Sequence, residues 1–150
     1  MTTPARPRVQ GHGPRREHLE EFARHRFAVM TTVHPDGRSQ LSLVQQHAHD
    51  GVLDVSLTGA RVKTRNLRRD PRAALMILPA GTSRFVVAEG RAELSDVSRV
   101  PGDDVGRALA ALYEALAGPH PDWDDYFRAM VEDRRLLCRV HVEHTYAGGA

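Results

Sequence analysis

The sequence predicts a mainly β fold, a barrel of about six antiparallel strands with peripheral α-helices. Two observations support this class. Short segments of alternating apolar and polar residues recur along the chain, and most of them are joined by short turns. A parallel sheet would need crossovers of a dozen or more residues, which most connections here are too short to provide. The 150 residues, 41% of them hydrophobic, suffice for one domain with its own core.

The first half of the chain supplies one helix and three strands. Leu19, Phe22 and Ala23 share a helical face, and the turns at His34–Arg38 and Asp50–Gly51 have the residues that join paired strands. The predicted elements are a helix at 17–26 and strands at 27–33, 40–47 and 53–57.

The second half of the chain contains both strands and helices. Gly90 inside a strand pattern indicates a bulge or a close backbone approach. Asp103 or Asp104 can cap one helix, which Gly118 and Pro119 end, and Asp122 can cap the next. The predicted elements are a short helix at 61–69, strands at 72–78 and 84–94, helices at 105–117 and after Asp122, and a strand at 135–143.

The segment around residue 61 predicts an anion site. A strand ends at Thr58-Gly59-Ala60, and a basic helix follows until Asp70-Pro71 stops it. The N-terminus of a helix has free N–H groups and the positive end of its dipole, which attract phosphate. Arg61 and Lys63 lie in the first turn, so a phosphorylated ligand is expected there, at the edge of a sheet.

Charge and composition limit the partners. The first 16 residues hold four arginines and no acidic residue, so the rest of the chain has 17 Lys and Arg against 19 Asp and Glu. A nucleic-acid partner is therefore not expected, and no apolar run is long enough to suggest a membrane span. Residues 1–14 are predicted to be a disordered tail and residues 15–150 the folded domain, with the cytoplasm as the default location.

Other kinds of site are disfavoured by the residues present. Cys138, the single cysteine, lies in a strand-like run and is expected to be a buried apolar residue. His47 and His49 have no further ligands nearby in sequence, so no metal site is predicted. Ser42 and Ser56 lack the nucleophile-elbow context, and no dinucleotide-binding glycine motif is present.

The order of these segments resembles the pyridoxamine 5′-phosphate oxidase-like split β-barrels, which are FMN-binding-like folds. Within them the chain is most similar to the class that uses the deazaflavin coenzyme F420. The likeness covers about residues 20–146. The residues that carry it are Phe27–Thr32, Asp36–Arg38, Gln40–Ser42, Arg61–Arg72, Ala88–Gly90, His120–Tyr126, Asp133–Arg135 and His144–Tyr146.

This resemblance implies a homodimer with a cofactor between the subunits and a small-molecule substrate. Arg61 and Lys63 would hold the cofactor phosphate. Relatives often cover the cofactor with an aromatic residue from a loop of the partner subunit, and here that loop carries Ser83, so Arg84 or Phe85 would have to serve. The remaining residues expected at the cofactor are Thr31 and Thr32 along the ring, Ser42 and Val44 opposite it, and Ser56 and Thr58 at the strand end.

The implied function is an F420-dependent oxidoreductase that transfers a hydride between the deazaflavin and an unidentified small organic substrate. The first alternative is an FMN-dependent oxidoreductase, such as a pyridoxamine 5′-phosphate oxidase-like enzyme. The second is a non-catalytic protein of the same fold that binds a cofactor or heme. The sequence identifies no catalytic general acid, because the hard chemistry would belong to the cofactor.

Overall fold

The computed structural model describes residues 13–149. Within that range four helices surround one antiparallel sheet. The elements are α1 Arg16–Ala23, β1 Phe27–Val33, β2 Ser39–Gln45, β3 His47–His49, β4 Val52–Thr58, α2 Val62–Arg69, β5 Arg72–Ile77, β6 Phe85–Leu94, α3 Asp104–Ala117, α4 Trp123–Glu132 and β7 Arg135–Gly148.

The strands form a sheet that curls into a half-barrel. Their order is β2-β1-β5-β6-β7-β4-β3, and all neighbours are antiparallel. β2 and β3 occupy opposite edges although only Gln46 separates them in sequence, so the chain crosses from one edge to the other at that residue. The two edges therefore approach each other, and the split of the barrel lies where β2 meets β4. The predicted mainly β split barrel is confirmed.

One predicted strand is two strands in the structure. The sequence pattern predicts a continuous strand at 40–47, but the sheet ladder is interrupted at Gln46. This side chain is 1% exposed, and its amide donates to the Phe22 and His25 carbonyls at the end of α1. The backbone N–H of Gln46 donates to the Arg26 carbonyl. These bonds hold the chain where it changes edges, so the sheet has seven strands rather than six.

The core fills the inside of the half-barrel. Alternate residues of each strand point inward, including Met30, Leu53, Leu75 and Leu136, all fully buried. A second apolar cluster lies outside the sheet, where α3 and α4 pack on Leu137 of β7.

Several local predictions are confirmed. The β6–β7 register shifts between Glu89 and Gly90, where a Cβ on the glycine would lie 2.0 Å from the His141 carbonyl oxygen. The side chains of Asp103 and Asp122 accept hydrogen bonds from the first turns of α3 and α4. β7 continues to residue 148, five residues beyond its predicted end, because its second half pairs with β6.

The predicted tail of residues 1–14 falls almost wholly outside the described residues. No helix within residues 13–149 has the length and apolar character needed to cross a membrane.

Candidate functional site

A cleft of about 620 Å³ opens at the split of the barrel. β2 and β4 form its floor, the start of α2 forms one end, and α3 and α4 form a wall over it. None of the residues that line it, all within the described part of the chain, is acidic. The lining residues are Arg26, Phe27, Leu43, Val44, Gln45, Ser56, Thr58, Arg61, Lys63, Leu109, Leu112, Tyr113, Leu116, Tyr126, Met130 and Arg135.

The start of α2 faces this cleft without a side-chain cap. Its N-cap residue is Arg61, which makes no capping hydrogen bond, whereas α3 and α4 are capped by aspartates. The helix is held instead by Thr64, whose hydroxyl donates to the Thr58 carbonyl at 2.7 Å. The first-turn N–H groups of α2 therefore remain available to an anion from outside the helix.

Arg135 is brought to the same place by the sheet. It pairs with Thr58 at the end of the β4–β7 ladder. Next to this pair the Gly59 N–H donates to the Arg134 carbonyl at 2.9 Å. The Nε of Arg135 is buried without a hydrogen-bond partner among the described residues, since the nearest carboxylate oxygen, of Asp133, is 3.8 Å away. A buried donor without an acceptor is costly, so an anion bound beside this atom would be stabilised by it.

Arg61, Lys63 and Arg135 form what we call the cation cluster. Burial lowers the pKa of Lys63, and the charges of Arg61 and Arg135 lower it further. The side chains of Arg61 and Lys63 make no hydrogen bond or ion pair with any residue in 13–149. These three cations repel one another, and the one acid that pairs with any of them in residues 13–149 is Asp133, 3.8 Å from Arg135, so together they form a site for a phosphate or carboxylate ligand.

Five of the eight residues that the sequence assigns to the cofactor line this cleft. Arg61 and Lys63 lie at the α2 end, where the sequence predicts the anion site. The other three are Val44, Ser56 and Thr58.

The remaining three lie elsewhere. Thr32 is fully buried, and its hydroxyl donates to the Gln40 side-chain oxygen and accepts from the Asn66 amide, at 2.8 and 3.1 Å. It is therefore part of the packing between α2 and the sheet, and the expectation that it lines a cofactor ring does not fit this geometry. Thr31 does not line the cleft and lies in a separate shallow groove with Ala74. The Ser42 hydroxyl is buried without a hydrogen-bond partner among the described residues and does not line the cleft.

Most of the other basic residues in α2 and at the start of β5 have local partners. Arg72 binds Asp70, with a closest distance of 2.6 Å, and lowers the pKa of that carboxyl to about 2. Arg69 donates to the Asn66 side chain and the Val33 carbonyl. Arg68 is not simply solvent-facing, because its guanidinium donates to the Gly59 carbonyl at 3.1 Å. Arg65 is exposed and makes no side-chain contact with a described residue.

Sequence reasoning missed the role of Arg135 and the α3–α4 wall. Arg135 was predicted only as the start of the last strand, although the resemblance includes the Asp133–Arg135 run that contains it. The wall arises from residues such as Leu112, Tyr113 and Met130, whose helical spacing predicts packing but not which face meets a ligand.

Other chemistry has less support in the described residues. Burial raises the pKa of Cys138 to about 12, so its thiol stays protonated and buried as the sequence predicts. No group of three His, Cys, Asp or Glu side chains in residues 13–149 is arranged to hold a metal ion.

Solved structures of several other proteins share this fold. A conserved hypothetical protein from Mycobacterium tuberculosis superposes with a TM-score of 0.68 at 22% identity, covering 96% of this chain and 89% of that one. An F420 reductase superposes with a TM-score of 0.63 at 24% identity, covering 85% and 94%. A heme storage protein from Vibrio cholerae gives 0.64 at 14% identity, covering 91% and 94%.

Identities this low establish the fold alone. The sequence model of the pyridoxamine 5′-phosphate oxidase family matches residues 15–147, which include the cleft, the cation cluster and all of the sheet except the last residue of β7. The chain therefore belongs to the pyridoxamine 5′-phosphate oxidase family.

Proposed function

We propose that this chain is an F420-dependent oxidoreductase that works as a homodimer on a small organic substrate. The cation cluster of Arg61, Lys63 and Arg135 is the observation that carries the proposal. An F420 reductase among the proteins of the same fold is consistent with it. The single cysteine is a buried free thiol, which agrees with the cytoplasmic location that we propose with this function.

The cluster fits the phosphate of such a cofactor. Phosphate oxygens would accept from Arg61, Lys63 and the buried Nε of Arg135, and from the uncapped N–H groups of α2. F420 carries carboxylates beyond its phosphate, and Arg26 supplies a further cation to the lining of the same cleft. A cleft with four cations and no acid suits a ligand with several negative charges.

The protein's own contribution would be binding, orientation and exclusion of water. When bound, F420 supplies hydride transfer. Leu109, Leu112 and Leu116 of α3 present an apolar wall to the cleft. Such a wall removes water from the ligand surface that it covers and strengthens the charged contacts at the α2 end.

A second copy of the chain is the proposed partner, and the outer face of the sheet supports it. Five residues that pair with one another across five neighbouring strands form an apolar row on this face. The residues at its two ends are exposed: Leu43 is 68% exposed and Tyr146 is 43% exposed. We call this row the outer row, and its members are Leu43, Val29, Met76, Val87 and Tyr146. Leu43 also lines the cleft, so a copy docked on the outer row would lie at the mouth of the cleft.

The resemblance expects a residue near Ser83 to cover the cofactor of the partner subunit. In this subunit Arg84 already donates to Glu21 at 2.7 Å, and the Phe85 ring lies against Gly148. Cover by Arg84 would therefore require that its bond to Glu21 be broken.

Absorbance titration of the purified protein with F420, FMN and hemin, followed by hydride-transfer assays with the bound cofactor, tests this function. We expect F420 to bind most tightly and its reduced form to be oxidised in the presence of acceptor substrates. Tighter binding of FMN would support the flavin alternative, since its phosphate suits the same cluster. Preferential binding of hemin, with no turnover with either flavin-type cofactor, would support the carrier alternative and overturn the proposal.

A further inference from the structure

We infer that the hydroxyl of Tyr126 completes the anion site as a neutral hydrogen-bond donor beside Arg135. The inference rests on the proposed function, because it assumes that the cleft holds a ligand with a phosphate. It adds a residue from α4 to a site that otherwise comes from β4, α2 and β7.

The ring of Tyr126 is held in a fixed position. It packs against Tyr113 of α3 at a centroid distance of 5.3 Å and against Trp123 at 5.4 Å, both edge to face. His120, in the connection between the two helices, lies 5.4 Å away, and Phe127 lies 5.9 Å away. Contacts from three directions leave the ring little freedom, so its hydroxyl has a defined place.

The hydroxyl itself has no hydrogen-bond partner within residues 13–149, although only 8% of the residue is exposed. Tyr126 lines the cleft together with Arg135, so the free end of the side chain is at the cleft. The ring is buried while the hydroxyl oxygen is accessible from the cleft, so a ligand bound there would accept a hydrogen bond from it.

Electrostatics keep this hydroxyl protonated. Burial raises the pKa of Tyr126 to about 12, although the nearby Arg135 guanidinium opposes the rise. At physiological pH the group is a neutral donor, and unlike a carboxylate it does not repel an anion. Its neighbour, the Nε of Arg135, is also a donor without an acceptor. Both residues line the same cleft, so an anionic ligand bound there would accept from both groups.

Tyr126→Phe removes only the hydroxyl and keeps the packed ring. The experiment compares each phosphorylated ligand with its phosphate-free counterpart: FMN with riboflavin, and F420 with its deazaflavin core. We expect the variant to bind the phosphorylated member about ten-fold more weakly or worse and the phosphate-free member as the wild type does. Val100→Ala, at an exposed residue before α3 that does not line the cleft, is the control and should leave both affinities unchanged.

A second measurement uses the wild-type protein, so it does not depend on how the variant folds. A tyrosine that donates a new hydrogen bond changes its ultraviolet absorption. Titration with inorganic phosphate should therefore produce a tyrosine difference spectrum in the wild type and none in Tyr126→Phe.

The outcomes separate this inference from the proposed function. If the wild type binds phosphorylated and phosphate-free ligands equally, the anion site fails and the proposed function fails with it. If the wild type distinguishes them and Tyr126→Phe does so to the same degree, the site stands and the role of Tyr126 is overturned. Absence of a tyrosine difference spectrum on phosphate binding to the wild type also overturns it.

Discussion

Thr58 and Arg135 lie opposite each other at the end of the β4–β7 ladder, and this pairing assembles the cation cluster. The Thr58 carbonyl accepts from the Thr64 hydroxyl and from the Arg61 N–H, which sets the start of α2 against the strand end. Arg135 enters from the neighbouring strand. Arg135 thus meets Arg61 and Lys63, more than seventy residues earlier in the sequence, because the end of β4 is bonded to α2 on one side and to β7 on the other.

Loss of either α2 cation should weaken cofactor binding. Charge-assisted hydrogen bonds to phosphate are worth about 1.5–3 kcal/mol each, so Lys63→Ala and Arg61→Ala should each reduce affinity by about ten-fold to a hundred-fold. The double variant should bind more weakly than either single one. Titration with F420 and with FMN measures these changes.

Arg65→Ala is the matched control, because Arg65 is an exposed cation of the same helix without a side-chain contact to a described residue. Arg68 would be a poor control, since its bond to the Gly59 carbonyl connects it to the turn that carries the site. Wild-type affinity in Arg61→Ala and Lys63→Ala, together with a loss in Arg65→Ala, would place the phosphate elsewhere.

Gly59→Ala should disturb the site through packing. A Cβ at this position would lie 3.1 Å from the Arg134 carbonyl oxygen and 3.2 Å from a Val97 methyl group, so the chain before Arg135 would have to shift. We expect a loss of roughly 1–3 kcal/mol in the free energy of unfolding, and weaker cofactor binding. Urea denaturation and titration measure the two effects. Gly13→Ala, at an exposed glycine with no atom within 4 Å of the added Cβ, should change neither.

Most of the fold follows from local sequence signals. Alternation of apolar residues, Gly and Pro in turns, and aspartate caps act over a few residues, so the strands at 27–33 and 85–94 and the starts of α3 and α4 are predictable. The break between β2 and β3 at Gln46 is not predictable from local sequence. The Gln46 side chain donates to carbonyls at the end of α1, more than twenty residues away in sequence.

The site likewise contains residues that local sequence predicts and residues that only contacts distant in sequence bring into place. Arg61 and Lys63 are predictable, since a basic helix start after a strand is a local pattern. Arg135 is not, because only the β4–β7 register brings it to them. Thr32 illustrates the converse: the family resemblance implies that it lies along the cofactor ring, but the Asn66 amide, 34 residues further on, donates to its hydroxyl in the core.

A charge on the outer face of the sheet should prevent the proposed homodimer. Leu41 is 62% exposed beside the outer row and faces the same side as Thr31. Leu41→Asp would place a carboxylate in an apolar interface, where its desolvation costs several kcal/mol. Sedimentation should show a dimer for the wild type and a monomer for the variant. Val100→Asp, at an equally exposed apolar residue before α3, should remain dimeric. A monomeric wild type at micromolar concentration with full cofactor binding would contradict the dimer.

The His49–Asp54 pair should make stability depend on pH. The Asp54 carboxylate accepts a hydrogen bond of 2.6 Å from the His49 ring, which raises the pKa of His49 above its ordinary value of 6.5, and Asp50 adds to the rise. Because the folded pKa is the higher one, this contribution is complete below pH 6.5 and is lost as pH rises through the folded pKa. His49→Gln should show a smaller loss of melting temperature between about pH 6 and 8 than the wild type does. If the melting temperatures of the wild type and His49→Gln depend on pH in the same way, groups other than His49 cause that dependence.

Cofactor affinity should fall at alkaline pH because of Lys63. Burial and the charges of Arg61 and Arg135 lower its pKa, so in the ligand-free protein it loses its proton below the pH at which an ordinary lysine does. A bound phosphate favours the protonated form, and affinity must therefore decrease as pH rises through the lowered value. The second pKa of the FMN phosphate is about 6, so the phosphate does not titrate at the alkaline pH where Lys63 loses its proton.

The Lys63→Arg variant distinguishes deprotonation of Lys63 from any other cause of reduced cofactor affinity at alkaline pH. A guanidinium stays charged throughout the range, so the variant should keep its affinity at pH values where the wild type has begun to lose it. Titrations with FMN and F420 at a series of pH values, with melting temperatures to show that both proteins remain folded, measure the difference. If affinity falls in parallel for wild type and Lys63→Arg, the titrating group is not Lys63, and the phosphate contact assigned to its amine is wrong.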